Sequence, residues 1–374
     1  MPWISRSCST LNRGEIRRLL SRTHGCPAPR WPQASVVRWY IPCFEIGLRY
    51  LIFLGLFLGA AVLPLIATDD SGLRKVSLRL DWYPQAENGG YFCALAEGYY
   101  RKAGLDVQII PALTKATVEP AVALGKSEFG LSTTDRVLMA RSHNLPIVAV
   151  LASMEHDPTA IMFHAESPIK DFPDLEGHVI AAPPGVAWLP YLVRRYHFQH
   201  VGETPHSFEN ATFMRSPDYI EEILVTAEPY FMELNKVKVR WLLIMDSGCD
   251  PYHTLITSES LIARDPALVR AFVTASREGW RHYLVDPKAA DAEIIRENPE
   301  MTQGQLDFSR QALIDGHFVD GFAARHEDVG VITEQRFESQ YQLLRSIGLL
   351  DHDFDFRPAF TTDFLTSFAV PSNH

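Results

Sequence analysis

Apolar and polar residues alternate from Val76 to Leu80, and this pattern predicts a β-strand that ends at Asp81. The apolar positions that follow have helical spacing, so we predict a helix over residues 91–103 that Gly104 ends. Strand-like and helix-like stretches continue to alternate as far as Trp241. This order predicts an α/β protein with a mainly parallel sheet covered by helices.

The alternating pattern divides into two units. A second unit begins near Pro168, where a polar loop precedes a predicted strand at residues 178–182. The chain would cross between the units near residues 161–163 and again near 255–261. The predicted division is a leader at residues 1–67, a first lobe at 76–164 plus 257–374, and a second lobe at 165–256.

After Ala263 the pattern becomes helical. Asp265 with Pro266 predicts a helix start, because Asp is a preferred N-cap and Pro suits the first turn. Thr302 with Gln305 predicts another helix start through a capping box. A further amphipathic helix is indicated by apolar residues at helical spacing: Phe337, Tyr341 and Leu344.

The first fifty residues are basic, with eight Arg and only two Glu, and an uncharged apolar run follows from Leu51 to Ala67. This arrangement is typical of a signal peptide, and seventeen residues that include Pro64 are marginal for crossing a bilayer. We predict cleavage near Ala67 and a periplasmic or extracytoplasmic location. The alternative is an uncleaved membrane anchor at residues 51–67. Residues 1–35 exceed a usual basic leader region and fit a start codon assigned too early.

The remainder of the chain is acidic. Removing the eight Arg and two Glu of the first fifty residues from 35 basic and 45 acidic residues leaves 27 and 43. A surface with this excess of negative charge repels nucleic acid and anionic membranes. We therefore expect no nucleic-acid partner.

Cysteine and histidine usage favours no metal site. After the leader only Cys93 and Cys249 remain, which leaves either one long-range disulfide or two separate buried thiols. The histidines show no zinc-binding spacing, and the chain has no P-loop, nucleophile elbow or dinucleotide fingerprint. We expect no catalytic residues, no metal and no cofactor.

The loop after the first strand is the first candidate ligand site, because open α/β sheets bind ligands beyond the carboxyl ends of their strands. Aromatic rings could stack on a flat ligand, polar groups could accept its hydrogen bonds, and glycines would let a helix N-terminus approach it. The candidate residues are Asp81, Trp82, Tyr83, Asn88, Gly89 and Gly90. The alternative is a structural loop in which Trp82 fills the core.

A second candidate site follows the predicted strand at residues 129–131. Hydroxyl side chains there offer hydrogen-bond donors to a carboxylate, phosphate or ring carbonyl, although helix capping explains one of them equally well. The residues are Ser132, Thr133, Thr134 and Asp135.

The second unit repeats the order of strand, tight turn and helix. Its candidate residues would close over a ligand from the opposite side, and core packing is the competing interpretation for Trp188. These residues are Pro184, Gly185, Trp188, Glu228 and Tyr230.

The residues around the first strand also resemble a known family. The resemblance is carried by Asp81, Trp82, Tyr83, Pro84 and Gly90, then by Glu97, Gly98, Tyr99, Gly104, Leu105 and Asp106. These motifs are similar to the NMT1/THI5-like family, which includes periplasmic binding proteins for thiamine-pyrimidine precursors, sulfonates and nitrate. Weaker matches, including Glu228, Pro229 and Tyr230, extend the resemblance over most of residues 76–280.

The resemblance implies a type II periplasmic-binding fold, in which two α/β lobes are joined by two hinge crossings. It also implies extra C-terminal helices on lobe 1 and a ligand that closure of the hinge buries between the lobes. The implied partner is an ABC transporter permease in the inner membrane, and we expect a monomer.

Two departures from the family limit what the resemblance implies. Some members build the thiamine pyrimidine from their own histidine and pyridoxal phosphate and share a cysteine-rich CCCFC-type segment, which this chain lacks. Residues 220–225 also depart from the family's usual Gly-Lys-Val-Asp-Ala pattern. The first departure argues against synthase chemistry.

We therefore predict the substrate-binding component of an ABC-type uptake system and not an enzyme. A ring such as that of a thiamine pyrimidine precursor would stack on Trp82 or Tyr83, and Glu228 would recognise a ring amino group. The alternatives are a binder of a sulfonate, a nitrate-like anion or a flavin, and a pyrimidine (HMP-P) synthase-like enzyme of thiamine biosynthesis.

Overall fold

The computed structural model describes residues 72–111, 118–207 and 209–365. The predicted leader and anchor at residues 1–67 lie outside these ranges. Among the described residues, no helix has the length and apolar character needed to cross a membrane.

The described residues form strands and helices in regular succession. The strands are β1 (Arg74–Arg79), β2 (Leu105–Ile110), β3 (Phe129–Thr133), β4 (Ile147–Met154), β5 (Thr159–His164), β6 (Val179–Ala182), β7 (Gly202–Pro205), β8 (Ile220–Leu224), β9 (Val239–Leu243) and β10 (His253–Ser258). The helices are α1 (Gly89–Ala96), α2 (Tyr99–Lys102), α3 (Val118–Ala123), α4 (Thr134–Ser142), α5 (Trp188–Tyr196), α6 (Asn210–Arg215), α7 (Glu228–Leu234), α8 (Glu259–Arg264), α9 (Pro266–Val285), α10 (Lys288–Glu297), α11 (Gln303–Asp315) and α12 (Glu334–Ser346). Short 3-10 helices lie at Ala86–Asn88, Phe172–Leu175, Ile244–Ser247, Ala323–Arg325 and Arg357–Ala359.

The strands form two five-stranded sheets, in the orders β2-β1-β3-β10-β4 and β7-β6-β8-β5-β9. In the first sheet β10 runs antiparallel to both neighbours, and in the second sheet β5 does the same. Each of these strands directly follows a chain crossing, so it enters its sheet from the edge at which the parallel strands end. The predicted α/β architecture in two lobes is present, but both sheets are mixed rather than mainly parallel.

The crossings differ from the sequence-based prediction. The stretch predicted as the first crossing, residues 161–163, lies inside β5, between β8 and β9. The stretch near 255–261 begins inside β10, between β3 and β4. The chain instead passes between the sheets at residues 155–158 and 248–252. Because each crossing leads at once into a buried strand, hydrophobicity does not mark its position.

The C-terminal helices return to the first lobe, as the resemblance implies. Helices α9 and α10 pack on α1, and α12 packs on α4 and also reaches α5 of the second lobe. Phe272 of α9 stacks on Phe129 and Tyr100, with ring centroids 3.9 Å and 4.9 Å apart. These stacked rings join α9 to β3 and α2 in one hydrophobic core.

Several local predictions are confirmed. Asp265 caps α9 by accepting a hydrogen bond from the Leu268 amide, and Thr302 caps α11 through the Gln305 amide. The helix predicted at residues 91–103 is interrupted, because Gly98 has a left-handed backbone (φ +72°) between α1 and α2. Cys93 and Cys249 are both free and buried, so the alternative of two separate thiols is correct.

The contact between α1 and α9 depends on glycine at position 279, and we expect Gly279→Ala to destabilise the fold. An added methyl group there would lie 2.2 Å from the Gly90 carbonyl oxygen and 2.7 Å from the Ala94 Cβ. Forcing the helices apart should lower the free energy of unfolding by about 2 kcal/mol, measured by urea denaturation. The control is Gly202→Ala, whose methyl group would approach only Val179 at 3.0 Å. Equal losses in the two variants would contradict the prediction.

Candidate functional site

The chain crossings bring strand ends from both sheets together. His253, the first residue of β10, lies opposite Thr133 at the end of β3 and Met154 at the end of β4. In the second sheet, Thr159 at the start of β5 lies opposite Leu224 at the end of β8. The loops after β1, β3 and β8 therefore meet near the crossings, at the edge where open α/β sheets bind ligands.

The aromatic pair after β1 faces solvent. Trp82 is 46% exposed and Tyr83 is 44% exposed, and their rings meet edge to face with centroids 5.6 Å apart. The alternative in which Trp82 fills the core is therefore wrong. Large aromatic side chains this exposed can stack on a flat ligand.

The next predicted site residues are Asn88, Gly89 and Gly90, and contacts within the protein account for these residue types without a ligand. The side chain of Asn88 is buried and accepts a hydrogen bond from the Gln85 amide. A methyl group on Gly89 would lie 2.2 Å from the Tyr283 ring, and one on Gly90 would lie 2.1 Å from the Trp280 ring. Both glycines thus allow α9 to pack closely on α1.

Glu87, which the sequence analysis did not select, links the two lobes. Its buried carboxylate accepts a hydrogen bond from the Thr226 hydroxyl of the second lobe. Burial raises the pKa of Glu87, and the neighbouring Asp81 carboxylate raises it further. Thr226 is also held from α11, where the Ser309 hydroxyl donates to its carbonyl oxygen at 2.5 Å.

The hydroxyl groups after β3 are already engaged in hydrogen bonds within the protein. Ser132 donates to Glu119 Oε1 at 2.6 Å, and Thr133 donates to the Asp135 carboxylate. Thr134 Oγ1 accepts a hydrogen bond from the Tyr252 amide at 3.1 Å. Thr133 and Asp135 are partly exposed, and burial raises the pKa of Asp135.

In the second lobe Trp188 is only 6% exposed, in agreement with the core-packing alternative. Its indole N–H donates to Glu222 Oε2 at 2.5 Å. Burial raises the pKa of Glu222 to about 7, and the charges of Asp157 and Glu228 also act to raise it. Glu222 is therefore a partly exposed carboxyl group close to the crossing, held in place by a buried tryptophan.

The other predicted residues of the second lobe divide into two groups. Glu228, at the start of α7, accepts a hydrogen bond from the Leu224 amide at 2.9 Å. Burial raises the pKa of Glu228 to about 7, and the nearby Glu87 carboxylate contributes. Tyr230 packs against Phe308 of α11, while Pro184 and Gly185 lie in an exposed turn after β6. Glu228 therefore lies near the strand ends, whereas contact with α11 accounts for Tyr230.

A partly buried pair of His253 and Asp157 lies where the crossings meet. His253 Nε2 lies 3.6 Å from Asp157 Oδ1, which also accepts hydrogen bonds from the amide and hydroxyl of Thr159. Burial alone would lower the pKa of His253, but Asp157 raises it above its usual value. Burial likewise acts against ionisation of Asp157, yet the contact with His253 keeps its pKa low.

Taken together, these residues form a predominantly acidic region that we call the interlobe site. It comprises the aromatic pair Trp82 and Tyr83, the carboxyl residues Asp81, Glu87, Asp135, Asp157, Glu222 and Glu228, and His253. Neighbouring carboxyl groups from both lobes act on one another's pKa values throughout the site. No group of three or more such side chains in the described ranges is arranged to hold a metal ion.

Comparison with known proteins agrees with this architecture. A family model described as "NMT1/THI5 like" matches residues 85–290, which is more than half of the chain. The chain belongs to the NMT1/THI5-like family. The family resemblance found in the sequence is thereby confirmed.

Members of the family with similar sequences have different described functions. The riboflavin-binding protein RibY of Chloroflexus aurantiacus is 27% identical over 304 residues, covering 78% of this chain and 86% of that protein. A formylaminopyrimidine-binding protein of Halalkalibacterium halodurans is 24% identical over 60% of this chain and 71% of its own length. The 4-amino-5-hydroxymethyl-2-methylpyrimidine phosphate synthase THI11 of Saccharomyces cerevisiae is 22% identical over 69% of this chain and 81% of its length.

Solved structures confirm the predicted type II periplasmic-binding fold. The periplasmic aliphatic sulphonate binding protein SsuA from Escherichia coli superposes with a TM-score of 0.59 at 14% identity. The match covers 80% of this chain and 98% of that protein. The two lobes, each with a five-stranded mixed sheet and helices, therefore fit this fold.

The family pattern could have directed attention to one residue that the sequence analysis missed. Glu222 lies in the segment that departs from the family's usual sequence, and two adjacent carboxylates, Glu221 and Glu222, are unusual within an otherwise apolar strand. Asp157 and His253 gave no comparable signal, because they are 96 residues apart in sequence and meet only in the folded chain.

Proposed function

We propose that this chain is an extracytoplasmic solute-binding protein of an ABC-type uptake system, and that it holds a small ring-bearing molecule in the interlobe site. The observation that carries the proposal is the exposed pair of Trp82 and Tyr83 beside carboxyl groups from both lobes. Burying a ring against the pair would supply affinity, while fixed polar partners would reject molecules that leave those partners unpaired.

The residues of the interlobe site favour a nitrogen-containing heteroaromatic ring over a sulfonate or nitrate. Carboxylates accept hydrogen bonds from ring N–H and amino groups, whereas the hydroxyls that could serve an anion donate within the protein. The ligands of two relatives, riboflavin and formylaminopyrimidine, belong to this chemical class. We therefore propose a flavin or an aminopyrimidine as the solute.

Replacing Trp82 with alanine is the direct test of the aromatic platform. We expect Trp82→Ala to weaken binding of the ring compound by about 2 kcal/mol, because a stacked ring contributes roughly 1 to 3 kcal/mol. The ligand is first selected by thermal shift from riboflavin, aminopyrimidines and alkanesulfonates, and affinity is then measured by titration calorimetry.

The matched control is Trp241→Ala. Trp241 lies on the edge strand β9 and is 41% exposed, which is close to the exposure of Trp82. Its loss should leave the affinity unchanged. If Trp82→Ala binds as tightly as Trp241→Ala, the aromatic pair is not the ligand platform.

A second candidate is a pyrimidine synthase, because synthases match a large part of the chain. The CCCFC-type segment does not occur in this sequence, which disfavours that function. Incubation with pyridoxal phosphate and iron, followed by mass spectrometry, provides the test. A pyrimidine product together with a consumed histidine would replace the binding proposal.

We further propose that the mature protein is a monomer that delivers its solute to an inner-membrane permease. N-terminal sequencing of the exported protein would locate cleavage near Ala67, and an intact N-terminus in the membrane fraction would instead indicate an anchor. Light scattering would establish the number of chains.

A further inference from the structure

The distribution of charge in the interlobe site bears on which form of a ring-bearing solute it accepts. Asp81 and Asp135 are partly exposed in the first lobe, and Glu222 and Glu228 are partly exposed in the second. Glu87 and Asp157 lie between them and are each 8% exposed. A bound solute would therefore face carboxyl groups from both lobes.

The basic groups nearest to these carboxylates already have partners. His253 is paired with Asp157, and the Arg136 guanidinium lies 2.9 Å from Glu119 Oε1. In the second lobe His206 contacts the carboxylate of Glu221 at 3.3 Å. A negatively charged solute would have to compete with these carboxylates for each cation.

The hydroxyl groups at the start of α4 give an anion no better site. A helix N-terminus with free hydroxyls commonly binds phosphate. Here Ser132 and Thr133 direct their protons to Glu119 and Asp135, and Thr134 accepts from a backbone amide. Asp135 in the first turn of α4 adds a negative charge where a phosphate would lie.

We infer that the interlobe site selects neutral or cationic ring compounds that present N–H or O–H donors, and that it rejects their phosphate esters. This inference rests on the proposed function. Above pH 7, where Glu222 and Glu228 are mostly ionised, a phosphate would lie among like charges, so the ester should bind about a hundredfold more weakly or worse. The aromatic pair adds attraction for a cationic ring, because cations bind favourably over tryptophan and tyrosine faces.

The test compares each ring compound with its own phosphate ester by titration calorimetry on the mature protein. The pairs are riboflavin with riboflavin 5′-phosphate, and 4-amino-5-hydroxymethyl-2-methylpyrimidine with its phosphate. The parent compound that binds should do so about a hundredfold or more tightly than its ester.

Variants that remove charge then test whether the carboxylates cause the preference for the parent compound over its phosphate ester. In Asp135→Asn with Glu222→Gln, both side chains keep an acceptor for Thr133 and Trp188 but lose their charge. The ratio of affinities between parent and ester should fall by about tenfold or more. The control is Glu300→Gln, an exposed residue outside the interlobe site, in which the ratio should not change.

The outcomes separate this inference from the proposed function. Equal affinity for parent and ester, or tighter binding of the ester, would overturn the inference while leaving ring binding intact. A ratio that stays unchanged in the double variant would also overturn it. Circular dichroism would confirm that the protein is folded. If folded protein binds no ring compound, both the proposed function and the inference are wrong.

Discussion

Glu155→Gln is expected to raise the free energy of unfolding at alkaline pH and to flatten its pH dependence. Glu155 lies at the first chain crossing, and its side chain is fully buried. Burial raises the pKa of Glu155 to about 9, even though the Arg336 guanidinium lies 3.8 Å away and acts to lower it.

The direction of the effect follows from the two pKa values. The pKa of Glu155 is 4.5 in the unfolded chain and about 9 in the folded protein. Between these two pH values the folded protein keeps a proton on Glu155 that the unfolded chain releases. The stability contribution of this residue therefore decreases as pH rises through that window, by roughly 1.4 kcal/mol per pH unit. Glutamine has no such proton, so near pH 8 the variant should be more stable by about 3 kcal/mol or more.

Urea denaturation between about pH 5 and pH 9 measures this difference. The two proteins should have similar stability at the acidic end and diverge as pH rises. Glu300→Gln, which removes an exposed carboxyl group, should follow the wild-type curve throughout. A constant offset between Glu155→Gln and wild type at all pH values would show that the carboxyl group ionises normally.

The parts of the fold that sequence reasoning predicted depend on local patterns. Alternation from Val76 to Leu80 located β1, and the capping residues Asp265 and Thr302 located the starts of α9 and α11. The position of Asp81 and Trp82 at the end of β1 followed directly from the strand assignment. Each of these signals lies within a few residues of the feature it predicts.

Some residues have contacts that differ from the roles predicted for them, and these contacts involve residues distant in sequence. Gly89 and Gly90 were predicted to lie in a ligand-binding loop. Close packing of Tyr283 and Trp280 of α9 accounts for glycine at these two positions. The hydroxyl residues after β3 were predicted to donate hydrogen bonds to a ligand. Ser132 instead donates to Glu119, which lies on a different helix and so could not be recognised as its partner from the sequence. Sequence shows which groups could bind a ligand, whereas the fold determines which of them are already occupied.

The interlobe site could not be predicted from the sequence either, because its residues are distant in sequence. Glu87 meets Thr226 across 139 positions, and His253 meets Asp157 across the two crossings. Buried acidic residues in a chain of ordinary composition carry no local pattern that marks them as neighbours. Their shared location became visible only through the antiparallel entry of β5 and β10 into the two sheets.

The two crossings are joined to each other and to the C-terminal part of the chain. His156 bridges Asp250 of the second crossing at 2.7 Å and Glu327 at 3.0 Å. Arg336 of α12 donates to the Asp250 carboxylate and to the carbonyl oxygens of Asp250 and Glu155. Its guanidinium also lies 3.9 Å from the ring centroid of Tyr252. The geometry of the lobes therefore depends on a helix outside both crossings.

Arg336→Met is accordingly expected to lower the free energy of unfolding by about 3 kcal/mol, as the loss of one partner of a buried ion pair does. Denaturant midpoints near neutral pH measure the loss. Arg336→Lys is the matched control: it keeps the charge but cannot reproduce the planar set of donors, so an intermediate loss is expected. A wild-type midpoint for Arg336→Met would show that the crossings do not need this side chain.

The two expected effects at the crossings should also depend on each other, because Arg336 acts to lower the pKa of Glu155. Without the guanidinium, ionised Glu155 loses its attraction to Arg336, so Arg336→Met should lose more stability at alkaline pH than at acidic pH. In the Glu155→Gln background this extra alkaline loss should disappear, leaving only the lost contacts to Asp250 and Tyr252. A double-variant cycle at both ends of the pH range measures the coupling. Equal coupling energies at the two ends would mean that Arg336 does not lower the pKa of Glu155.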